Sequence, residues 1–367
     1  MNIQADSLRR LIAAIFTQAG CPADEGARIG NLLVAANLAG HDSHGVIRVP
    51  RYVQGIADGR VKPGQHISVV TDGGAFAVVD GNYGFGQTVA PEAVALGIEK
   101  ARAHGIAIVA LRNAGHIGRA GDFAEMAAEA DQVSIHFVNV KSSLLVAPFG
   151  GAERRMSTAP IAIGVPVDGR RPVILDFATS QVAEGKALVA LNGGKKVPEG
   201  SFVWPDGRLS DDPRALYGEP QPGRLPNPIE GPGALRAMGE HKGSGLALMC
   251  ELLGGAFTGN GCAGPPPRPH ANGMLSIYLS RAAFQAGDGF AAEARQYIDY
   301  VKSAKPVEPD GEVLMPGEPE DRKRAQHLRD GVPLQDQVWE SILATARKVG
   351  LDQGRIDALL SPSEAAA

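Results

Sequence analysis

Apolar residues follow two different patterns along the chain. Near both ends they recur every three or four positions, as in amphipathic helices, and between the ends they fall in short runs, as in strands. The helical spacing and its Gly and Pro boundaries predict helices over residues 6–20, 22–40, 50–59, 87–104, 121–130, 241–256, 291–303, 318–330 and 334–349. The short runs predict strands over residues 67–70, 76–79, 106–111, 133–138, 161–167, 173–177, 274–279 and 313–315. The chain is therefore expected to be a mixed α/β protein, with Asp6 as the N-cap of its first helix.

Residues 106–138 read as strand, loop, helix and strand, which predicts a βαβ unit with parallel strands. Ligands usually bind beyond the carboxyl ends of such strands. His116 lies in the loop after the first strand, and Lys141 and Ser142 lie in the loop after the second. If the two strands are neighbours in the sheet, these side chains converge.

Several other segments have a recognisable pattern. Residues 161–177 predict a hairpin. The glycine-rich segment 81–86 precedes a helix, but its spacing matches neither GxGxxG nor Walker A, which favours tight backbone turns over a phosphate loop. The segment 193–239 is rich in Gly and Pro and is expected to wrap the surface. His241 and Lys242 open a helix, where anions are favoured.

The composition is that of a large globular protein. Its 367 residues, 44% of them hydrophobic, can bury a core divided between two or three lobes. The formal net charge of −4 and the 5% aromatic content give no electrostatic reason to expect a nucleic acid as partner. The apolar runs are far shorter than the roughly 20 residues that cross a bilayer, so no membrane partner is expected.

The start of the chain and its cysteines favour the cytoplasm. The segment MNIQADSLRR lacks the basic start and apolar run of a secretory leader. Cys21, Cys250 and Cys262 are odd in number and show no CxxC pairing, which fits a reducing compartment better than a disulfide frame or a structural zinc site.

The stretch GHDSHGVIRVPRY at residues 40–52 concentrates reactive side chain types. His41, Asp42 and His44 are all metal-ligand types, but the flanking glycines indicate irregular backbone, and no HExxH or further carboxylate-rich motif supports a metal. Nucleophilic hydrolysis through Ser43 and His44 is weaker still, because adjacent residues cannot easily face one another and no GxSxG motif exists. No metal site is expected.

Acid/base chemistry beside a carboxylate-binding arginine remains. A guanidinium holds a carboxylate through two parallel hydrogen bonds, and an imidazole exchanges protons near neutral pH. A single histidine is more often a hydrogen-bonded structural residue. Two of them, His44 and His116, lie in separate glycine-flanked loops with Arg48 nearby, and Arg48 shares a helical face with Tyr52 if that helix extends back. This combination favours an active site.

Seven segments carry a resemblance that runs in order from about residue 5 to 350. They are AANLAGHDSHGVIRVPRYV, NAGHIGRAGDFAEMA, VAPFGG, STAPIAIGVP, ILDFATSQVAEGK, EHKGSGLALMCELLGGAFTG and LMPGEPE. Together they resemble the type 2 malate/L-lactate dehydrogenase family of non-Rossmann NAD(P)-dependent oxidoreductases. The details SIHFV, APF, EHKG and LMPGE are most similar to its bacterial hydroxycarboxylate dehydrogenase B branch, whose members act on 2-hydroxy and 2-oxo acids.

The resemblance implies a fold of the L-sulfolactate dehydrogenase type. It implies a helical lobe over residues 1–70, an NAD(P)-binding lobe with a mixed or mostly antiparallel sheet over 71–284, and a C-terminal helical segment over 285–367 that packs with the first lobe. It also implies a homodimer, and it explains the missing GxGxxG motif.

The resemblance also implies roles for individual residues. It places the proton donor and acceptor at His116, with His44 as the second candidate, and the substrate-carboxylate clamp at Arg48, helped by Tyr52 and Thr158. Lys141, which matches no fixed residue of the family, is expected to set specificity. The implied cofactor contacts are Ser43, Ser142, Asp176, Phe177, Ala178, His241, Lys242, Pro316, Gly317 and Glu318. Structural alternatives for two of these are a hairpin-end cap at Asp176 and a helix-start carboxylate at Glu318.

The expected activity is hydride transfer between nicotinamide and C2 of a 2-hydroxy or 2-oxo acid of the malate, lactate or aryl-lactate type. Arg48 would hold the carboxylate while His116 protonates the developing alkoxide during reduction. The alternatives are an oxidoreductase acting on a cyclic imine of the piperideine-2-carboxylate type or on ureidoglycolate, and a non-catalytic NADPH-binding protein. The sequence leaves the choice between NAD and NADP, the substrate acid and the physiological direction open.

Overall fold

The computed structural model of the chain describes residues 1–361 except 192, 194–195, 222–225, 266–267 and 285–287. Its helices are α1 (Ala5–Gln18), α2 (Ala23–Leu38), α3 (Val49–Ala57), α4 (Gly86–His104), α5 (Gly121–Glu129), α6 (Glu184–Leu191), α7 (Arg214–Tyr217), α8 (His241–Cys250), α9 (Asp288–Lys302), α10 (Glu318–Asp330), α11 (Asp336–Lys348) and α12 (Gln353–Leu360). Its strands are β1 (Asn2–Ile3), β2 (Ser68–Asp72), β3 (Phe76–Asp80), β4 (Ile106–Ala114), β5 (Gln132–Val140), β6 (Val146–Ala147), β7 (Pro160–Val165), β8 (Val173–Ala178), β9 (Phe202–Val203), β10 (Leu209–Ser210), β11 (Ala234–Arg236), β12 (Asn272–Ser280) and β13 (Val332–Pro333).

The helices at the two ends of the chain share one hydrophobic core. The apolar stripe of α1, which includes the fully buried Leu8, Ile12 and Phe16, packs with α2 and with Trp339 and Ile356 near the other end. β1 and β13 pair in an antiparallel fashion beside this core. The first and last parts of the chain therefore form one helical body, as the resemblance implied for the fold.

Three local expectations were wrong. Asp6 is not the N-cap of α1; it lies in the first turn, where its carboxylate accepts a hydrogen bond from Arg9 at 2.7 Å. Residues 313–315 form no strand, since no described neighbour pairs with them. The chain does not end with the helix at 334–349, because Ile356 anchors a further amphipathic helix, α12, to the shared core.

The central sheet of the described chain has the strand order β2-β3-β4-β12-β5-β7-β8. Only β3 and β4 pair in a parallel fashion, and every other neighbouring pair is antiparallel. The mixed, mostly antiparallel sheet is confirmed, and so is the hairpin of β7 and β8. α4 and α5 cover one face of the sheet, where Phe123, Leu111 and Tyr278 are buried.

The predicted βαβ unit needs a correction. β4 and β5 do run in the same direction, but β12 lies between them and pairs antiparallel with both. Asn272, at the start of β12, connects the loop that follows β4 to the end of β5. Its side chain accepts a hydrogen bond from the Ile117 backbone N–H at 3.0 Å and donates one to the Asn139 carbonyl at 2.8 Å. The loops therefore still meet at one edge of the sheet.

The segment 193–239 does more than wrap the surface. Its described residues form β9, β10, α7 and β11, which build a small sheet of order β10-β9-β11-β6. Phe202, Leu216 and Leu235 are fully buried in a core that they share with residues of β7 and α8. The Gly and Pro content therefore marks the turns of a small folded layer.

α8 continues as π-helical turns over Glu251–Phe257, so the helix predicted at 241–256 has two geometries. No helix in the described part of the chain has the length and apolar character needed to span a membrane.

Candidate active site

A cavity of about 1700 Å³ opens between the edge of the central sheet and the helices formed by the two ends of the chain. Its walls come from α3 and the turns before it, from the loops after β4 and β5, from β8 and from the start of α6. The polar and charged residues of the wall include His41, Ser43, His44, Arg48, Arg51, Tyr52, His116, Arg119, Ser142, Thr158, Asp176, Glu184, His270 and Glu320.

Asn37, buried near the end of α2, holds the loop that carries His44. Its side chain accepts a hydrogen bond from the Val46 backbone N–H at 2.8 Å and donates one to the Asp42 carboxylate at 2.6 Å. A Cβ on Gly45 would lie 2.1 Å from the Asn37 side-chain oxygen, so any larger residue would displace it. The glycine in the HDSHG motif is therefore a packing requirement of this loop.

His116 lies after β4 with its ring anchored by Tyr52. The Tyr52 hydroxyl oxygen is 2.5 Å from His116 Nδ1, and it accepts a hydrogen bond from Gln87 Nε2 at 3.2 Å. Burial and the positive charge of Arg48 lower the pKa of His116 well below its usual value, so the ring is neutral at neutral pH. Burial raises the pKa of Tyr52 to about 12, so the phenol keeps its proton.

The ring of His44 is stacked on that of His116. Their centroids are 5.6 Å apart and the planes are inclined by 14°. His44 Nδ1 lies 3.0 Å from Ser43 Oγ, within hydrogen-bond distance. Burial and then the charge of Arg48 lower the pKa of His44 to about 3, so it too is neutral at neutral pH.

Arg48 is held by its surroundings but is not fully engaged. Its Nε donates to the Ser43 carbonyl at 2.5 Å, and one terminal nitrogen is 3.5 Å from Glu184 Oε2. The Tyr217 hydroxyl donates to Glu184 Oε1 at 2.7 Å and fixes that carboxylate. A guanidinium has five N–H donors, so Arg48 retains donors for an anionic ligand.

Asp176 belongs to a group of buried charges on another wall. Its Oδ2 accepts a hydrogen bond from the Gly121 N–H at 2.8 Å and lies 3.7 Å from Arg119 Nε. Arg119 is also paired with Asp122 at 2.7 Å and Glu125 at 2.9 Å. Burial raises the pKa of Asp176, although the nearby Arg119 opposes the shift. The carboxylate is thus fixed at the start of α5, on the cavity wall.

The residues considered as metal ligands point to different partners. His41 Nε2 is 3.2 Å from Glu320 Oε1, and the Asp42 carboxylate accepts from Asn37, while His44 faces Ser43. Among the described residues, no three His, Cys, Asp or Glu side chains are grouped as metal ligands.

The cavity brings together most of the residues singled out in the sequence. His116, His44, Arg48, Tyr52, Thr158, Ser43, Ser142, Asp176, Phe177 and Ala178 all line it. Arg48 ends a 3₁₀ turn directly before α3 and Tyr52 lies within α3, and both residues line the cavity. Ser142 Oγ is also hydrogen bonded to His270 Nδ1 at 2.8 Å. These residues come from segments far apart in the sequence and meet on the walls of one cavity.

Other sequence candidates lie off this wall. The backbone N–H of Lys141 donates to the Ala271 carbonyl at 3.0 Å, and its side chain lies near Gly261. His241 and Lys242 are exposed at the start of α8. The turn of Pro316, Gly317 and Glu318 lies against β8, where the Pro316 carbonyl accepts the Ile174 N–H, and Glu318 pairs with Lys302 at 2.5 Å. Their functional roles stay predictions.

Comparison with known proteins decides the family. The malate/L-lactate dehydrogenase family model matches residues 3–343. The chain belongs to the malate/L-lactate dehydrogenase family. Hydroxycarboxylate dehydrogenase B of Escherichia coli (strain K12) is 38% identical over 362 residues, 97% of each chain. L-lactate dehydrogenase of Cupriavidus necator is 34% identical over 96% of this chain and 99% of that protein. The solved structure of sulfolactate dehydrogenase from Methanocaldococcus jannaschii superposes with a TM-score of 0.84 at 31% identity, covering 98% of this chain and 100% of that one.

Membership of the malate/L-lactate dehydrogenase family makes this chain an oxidoreductase that acts on a CH–OH group with a nicotinamide cofactor. The cavity fits that class. Its volume of about 1700 Å³ exceeds the ~300–1000 Å³ of most small-molecule sites, which leaves room for a dinucleotide beside a small substrate. Ser43 and Ser142 supply hydroxyl groups on the wall, which Phe177 also lines.

The sequence did not indicate several residues of this dehydrogenase site. Glu184 and Arg119 lie inside the segments ILDFATSQVAEGK and NAGHIGRAGDFAEMA, yet their positions gave no hint of a contact with Arg48 or Asp176. Gln87 follows the glycine-rich segment that looked like a loop of tight turns. His270 lies beside a Pro-rich stretch. Each of these residues contacts a partner that is distant in sequence. The only indication in the sequence was therefore that each lies in or near a family motif.

Proposed function

We propose that the chain is an NAD(P)-dependent 2-hydroxyacid dehydrogenase that interconverts 2-hydroxy acids and 2-oxo acids. The observation that carries this proposal is the meeting of Arg48 with the neutral ring of His116 on the wall of one large cavity. A cation that binds a carboxylate, next to a group that moves a proton, is the arrangement required at C1 and C2 of such an acid.

Arg48 holds the substrate carboxylate. Its guanidinium already lies 3.5 Å from a carboxylate, that of Glu184, which supports a carboxylate-binding role. A substrate carboxylate would compete with Glu184 for the same donors. Thr158 lines the same cavity and contributes a hydroxyl. Tyr52 is hydrogen bonded to His116, and its expected help to Arg48 stays a prediction.

His116 gives a proton to the oxygen on C2 during reduction, and His44 is the second candidate for this role. The bound carboxylate partly offsets the charge of Arg48, which is the largest electrostatic contribution to the low pKa of His116 after burial. Substrate binding is therefore expected to raise the pKa of His116, which makes it easier for the ring to accept a replacement proton as it gives one to the substrate.

The cofactor would be held by Ser43, Ser142 and the run Asp176, Phe177 and Ala178 on the cavity wall. It supplies the hydride that is exchanged with C2. His241, Lys242, Pro316, Gly317 and Glu318 complete the proposed set from outside this wall, and Lys141 is a specificity candidate.

Arg51 supports a substrate with a second anionic group. It lies one helical turn after Arg48 and one position before Tyr52, lines the cavity, and has no hydrogen-bond or ion-pair partner among the described residues. Its charge lowers the pKa values of both His116 and His270, which places it in the same cluster. A dicarboxylate such as malate or oxaloacetate would pair with both arginines.

A substrate panel with NADH and NADPH tests the proposal. The panel contains pyruvate, oxaloacetate, an aryl-pyruvate, piperideine-2-carboxylate and, for oxidation, ureidoglycolate. It separates the expected acids from the imine and ureidoglycolate alternatives.

Two variants test the roles of His116 and Arg48. We expect His116→Ala to lower kcat by about 10²- to 10⁴-fold and Arg48→Leu to raise KM by roughly 10- to 100-fold. Near-normal turnover of His116→Ala would contradict the acid/base assignment, and NADPH binding without turnover of any panel member would favour the non-catalytic alternative.

The role of Arg51 has its own comparison. Arg51→Gln should lose roughly 10- to 100-fold in kcat/KM for oxaloacetate and keep its value for pyruvate, because only the diacid has a second carboxylate. Arg9→Gln, which removes a half-buried arginine paired with Asp6 and outside the cavity wall, serves as control. An equal loss of kcat/KM for both substrates would show that Arg51 does not bind the second carboxylate.

We also propose a homodimer. The helix formed by α8 and its π-helical continuation exposes Leu248, Met249, Leu252 and Phe257 along one side. A row of large exposed apolar side chains on one helix is typical of a surface that another protein covers, and a second copy is the partner that family resemblance implies.

A further inference from the structure

Gln87 lies in the first turn of α4 and is almost completely buried, with 1% of its surface exposed. Its Nε2 donates two hydrogen bonds, each 3.2 Å long, one to the His116 backbone carbonyl and one to the Tyr52 hydroxyl oxygen. Its Oε1 is buried and has no hydrogen-bond partner among the described residues. A buried amide with one unsatisfied oxygen carries a free-energy cost, which calls for an explanation.

The orientation of this amide is forced by its neighbours. A backbone carbonyl can only accept, so turning the amide around would set Gln87 Oε1 against the His116 carbonyl oxygen. The start of α4 also lies tightly against that peptide, because a Cβ on Gly86 would be 2.3 Å from the same oxygen. Gln87 therefore presents N–H groups, and not its oxygen, to Tyr52.

This orientation decides where the Tyr52 proton points. The Tyr52 oxygen accepts the hydrogen bond from Gln87, and its only other described hydrogen-bond partner is His116 Nδ1 at 2.5 Å. The phenol is protonated at neutral pH, so its O–H donates to Nδ1. A neutral imidazole whose Nδ1 accepts carries its proton on Nε2.

We propose that Gln87 is a positioning residue that acts through Tyr52 to hold His116 in the tautomer with its proton on Nε2. His116 Nε2 has no described hydrogen-bond partner, and the residue lines the cavity, so this proton is the one available to a substrate. The inference rests on the proposed role of His116 and adds how a neutral histidine serves as an acid.

The proton balance of reduction follows. As hydride adds to C2, the carbonyl oxygen takes the Nε2 proton of His116, and the Tyr52 phenolic proton moves to Nδ1, so the ring stays neutral. The Tyr52 phenolate that results accepts a hydrogen bond from Gln87 and lies near the positive charges of Arg48 and Arg51, both of which favour the deprotonated form of Tyr52. Solvent then returns one proton to Tyr52. Oxidation of the hydroxy acid reverses these transfers and releases one proton to solvent. A higher pH should therefore favour oxidation.

Nitrogen-15 NMR of the protein labelled at histidine tests the tautomer without any turnover. The His116 signals are assigned by their loss in His116→Gln. We expect wild-type His116 to carry its proton on Nε2. In Gln87→Glu the side chain offers an acceptor to the Tyr52 O–H, so we expect the His116 proton to move to Nδ1. In Gln87→Met, which keeps the length but removes the donor, we expect a mixture of tautomers.

Steady-state kinetics provides the second readout. Gln87→Met should lower kcat for 2-oxo acid reduction by about 10-fold, with KM within about twofold, and should raise the apparent pKa of its pH profile by about one unit. Gln132→Met is a matched control, because Gln132 is also a buried glutamine with one unsatisfied oxygen, donates to the Ile98 carbonyl at 2.9 Å, and does not line the cavity. Gln132→Met should leave the tautomer, kcat and the pH profile unchanged.

The outcomes separate this inference from the proposed function. A wild-type His116 protonated on Nδ1, or a Gln87→Glu variant with the wild-type tautomer, would overturn the positioning role whatever the activity. If the tautomer behaves as expected but His116→Ala retains turnover, Gln87 does position the His116 ring. The role of His116 as the acid, and with it the catalytic part of this inference, would then be wrong.

Discussion

At the residue scale, the properties of the site depend on the contacts of Arg48 and on the effect of its charge on neighbouring side chains. Arg48 is bound between the Ser43 carbonyl and Glu184, and it lowers the pKa values of both His44 and His116. Family motifs predicted Arg48 and His116 because those positions lie inside long matching segments. They did not predict Glu184 as a partner, because a contact between residues 136 positions apart exists only after folding.

Glu184→Gln is expected to lower KM for 2-oxo acids by about three- to tenfold with little change in kcat, since it removes the carboxylate that competes for Arg48 and keeps an acceptor for Tyr217. Initial rates over a range of pyruvate and oxaloacetate concentrations measure this. Glu219→Gln, at an exposed pair with Arg214, is the control. A higher KM in Glu184→Gln would mean that Glu184 orients Arg48 and does not compete with substrate.

The buried His136 is expected to make the folded protein less stable as the pH falls. It is fully buried between Ser134 and Ser276, and burial lowers its pKa to about 3. The unfolded chain binds a proton at this histidine below about pH 6.5 and the folded chain does not, so stability is fully present above pH 6.5 and falls as pH drops towards 3. We expect a loss on the order of 2–3 kcal/mol from this residue between pH 7 and 4.5.

Urea unfolding of wild type and His136→Gln at pH 7 and pH 4.5 measures that loss. The variant should be less stable at pH 7 but should lose less stability on acidification, and His104→Gln at an exposed position should behave as wild type. Equal acid losses in wild type and His136→Gln would show that this histidine does not contribute.

At the element scale, β12 is the feature that the sequence could not locate. Its short apolar run identified a strand, but strand order depends on contacts between residues far apart, and the pattern of residues 106–138 favoured β4 and β5 as direct neighbours. The structure inserts β12 between them, and Asn272 then hydrogen bonds to the backbone of the loop after β4 and to the backbone near the end of β5. Helix bounds were predicted well, because helical spacing and Gly or Pro boundaries are local.

Asn272→Leu should destabilise the protein by about 2 kcal/mol, because it leaves the Ile117 N–H and the Asn139 carbonyl buried without their partner. It should also lower kcat, since Ile117 follows His116. Ser276→Ala, on the same strand but bonded to His136 away from the cavity, should lose stability and keep kcat. Urea unfolding and steady-state kinetics on both variants measure these effects, and a normal kcat in Asn272→Leu would exclude a role of this side chain in placing His116.

At the scale of the whole molecule, the family resemblance predicted the fold, and the arrangement of the helices and strands in that fold creates the cavity. The mixed sheet and the helical body formed by both chain ends agree with the expectation. The domain boundaries at residues 70 and 284 stay predictions. The small layer formed by β9, β10, α7 and β11 was not foreseen, because its strands of two or three residues are too short to show a period.

The proposed dimer predicts the behaviour of a surface variant. Replacing Leu252 and Phe257 by Lys should convert the dimer to a monomer in size-exclusion chromatography with light scattering, because charges oppose burial of this side of the helix. The same double replacement at Leu209 and Ile229, which are exposed on another part of the chain, should leave the mass unchanged. A monomeric wild type would contradict the proposal.

The pairing of β1 with β13 has a consequence for biosynthesis. Residues 2–3 find their partners at 332–333, and the stripe of α1 is completed only by Trp339 and Ile356. At a ribosomal rate of ~5–20 residues per second, the first helix waits roughly 20–70 s for these residues. α2 covers part of this stripe early, but the rest of it stays exposed during nearly all of the synthesis, and we expect the nascent chain to depend on chaperones until the last helices leave the ribosome.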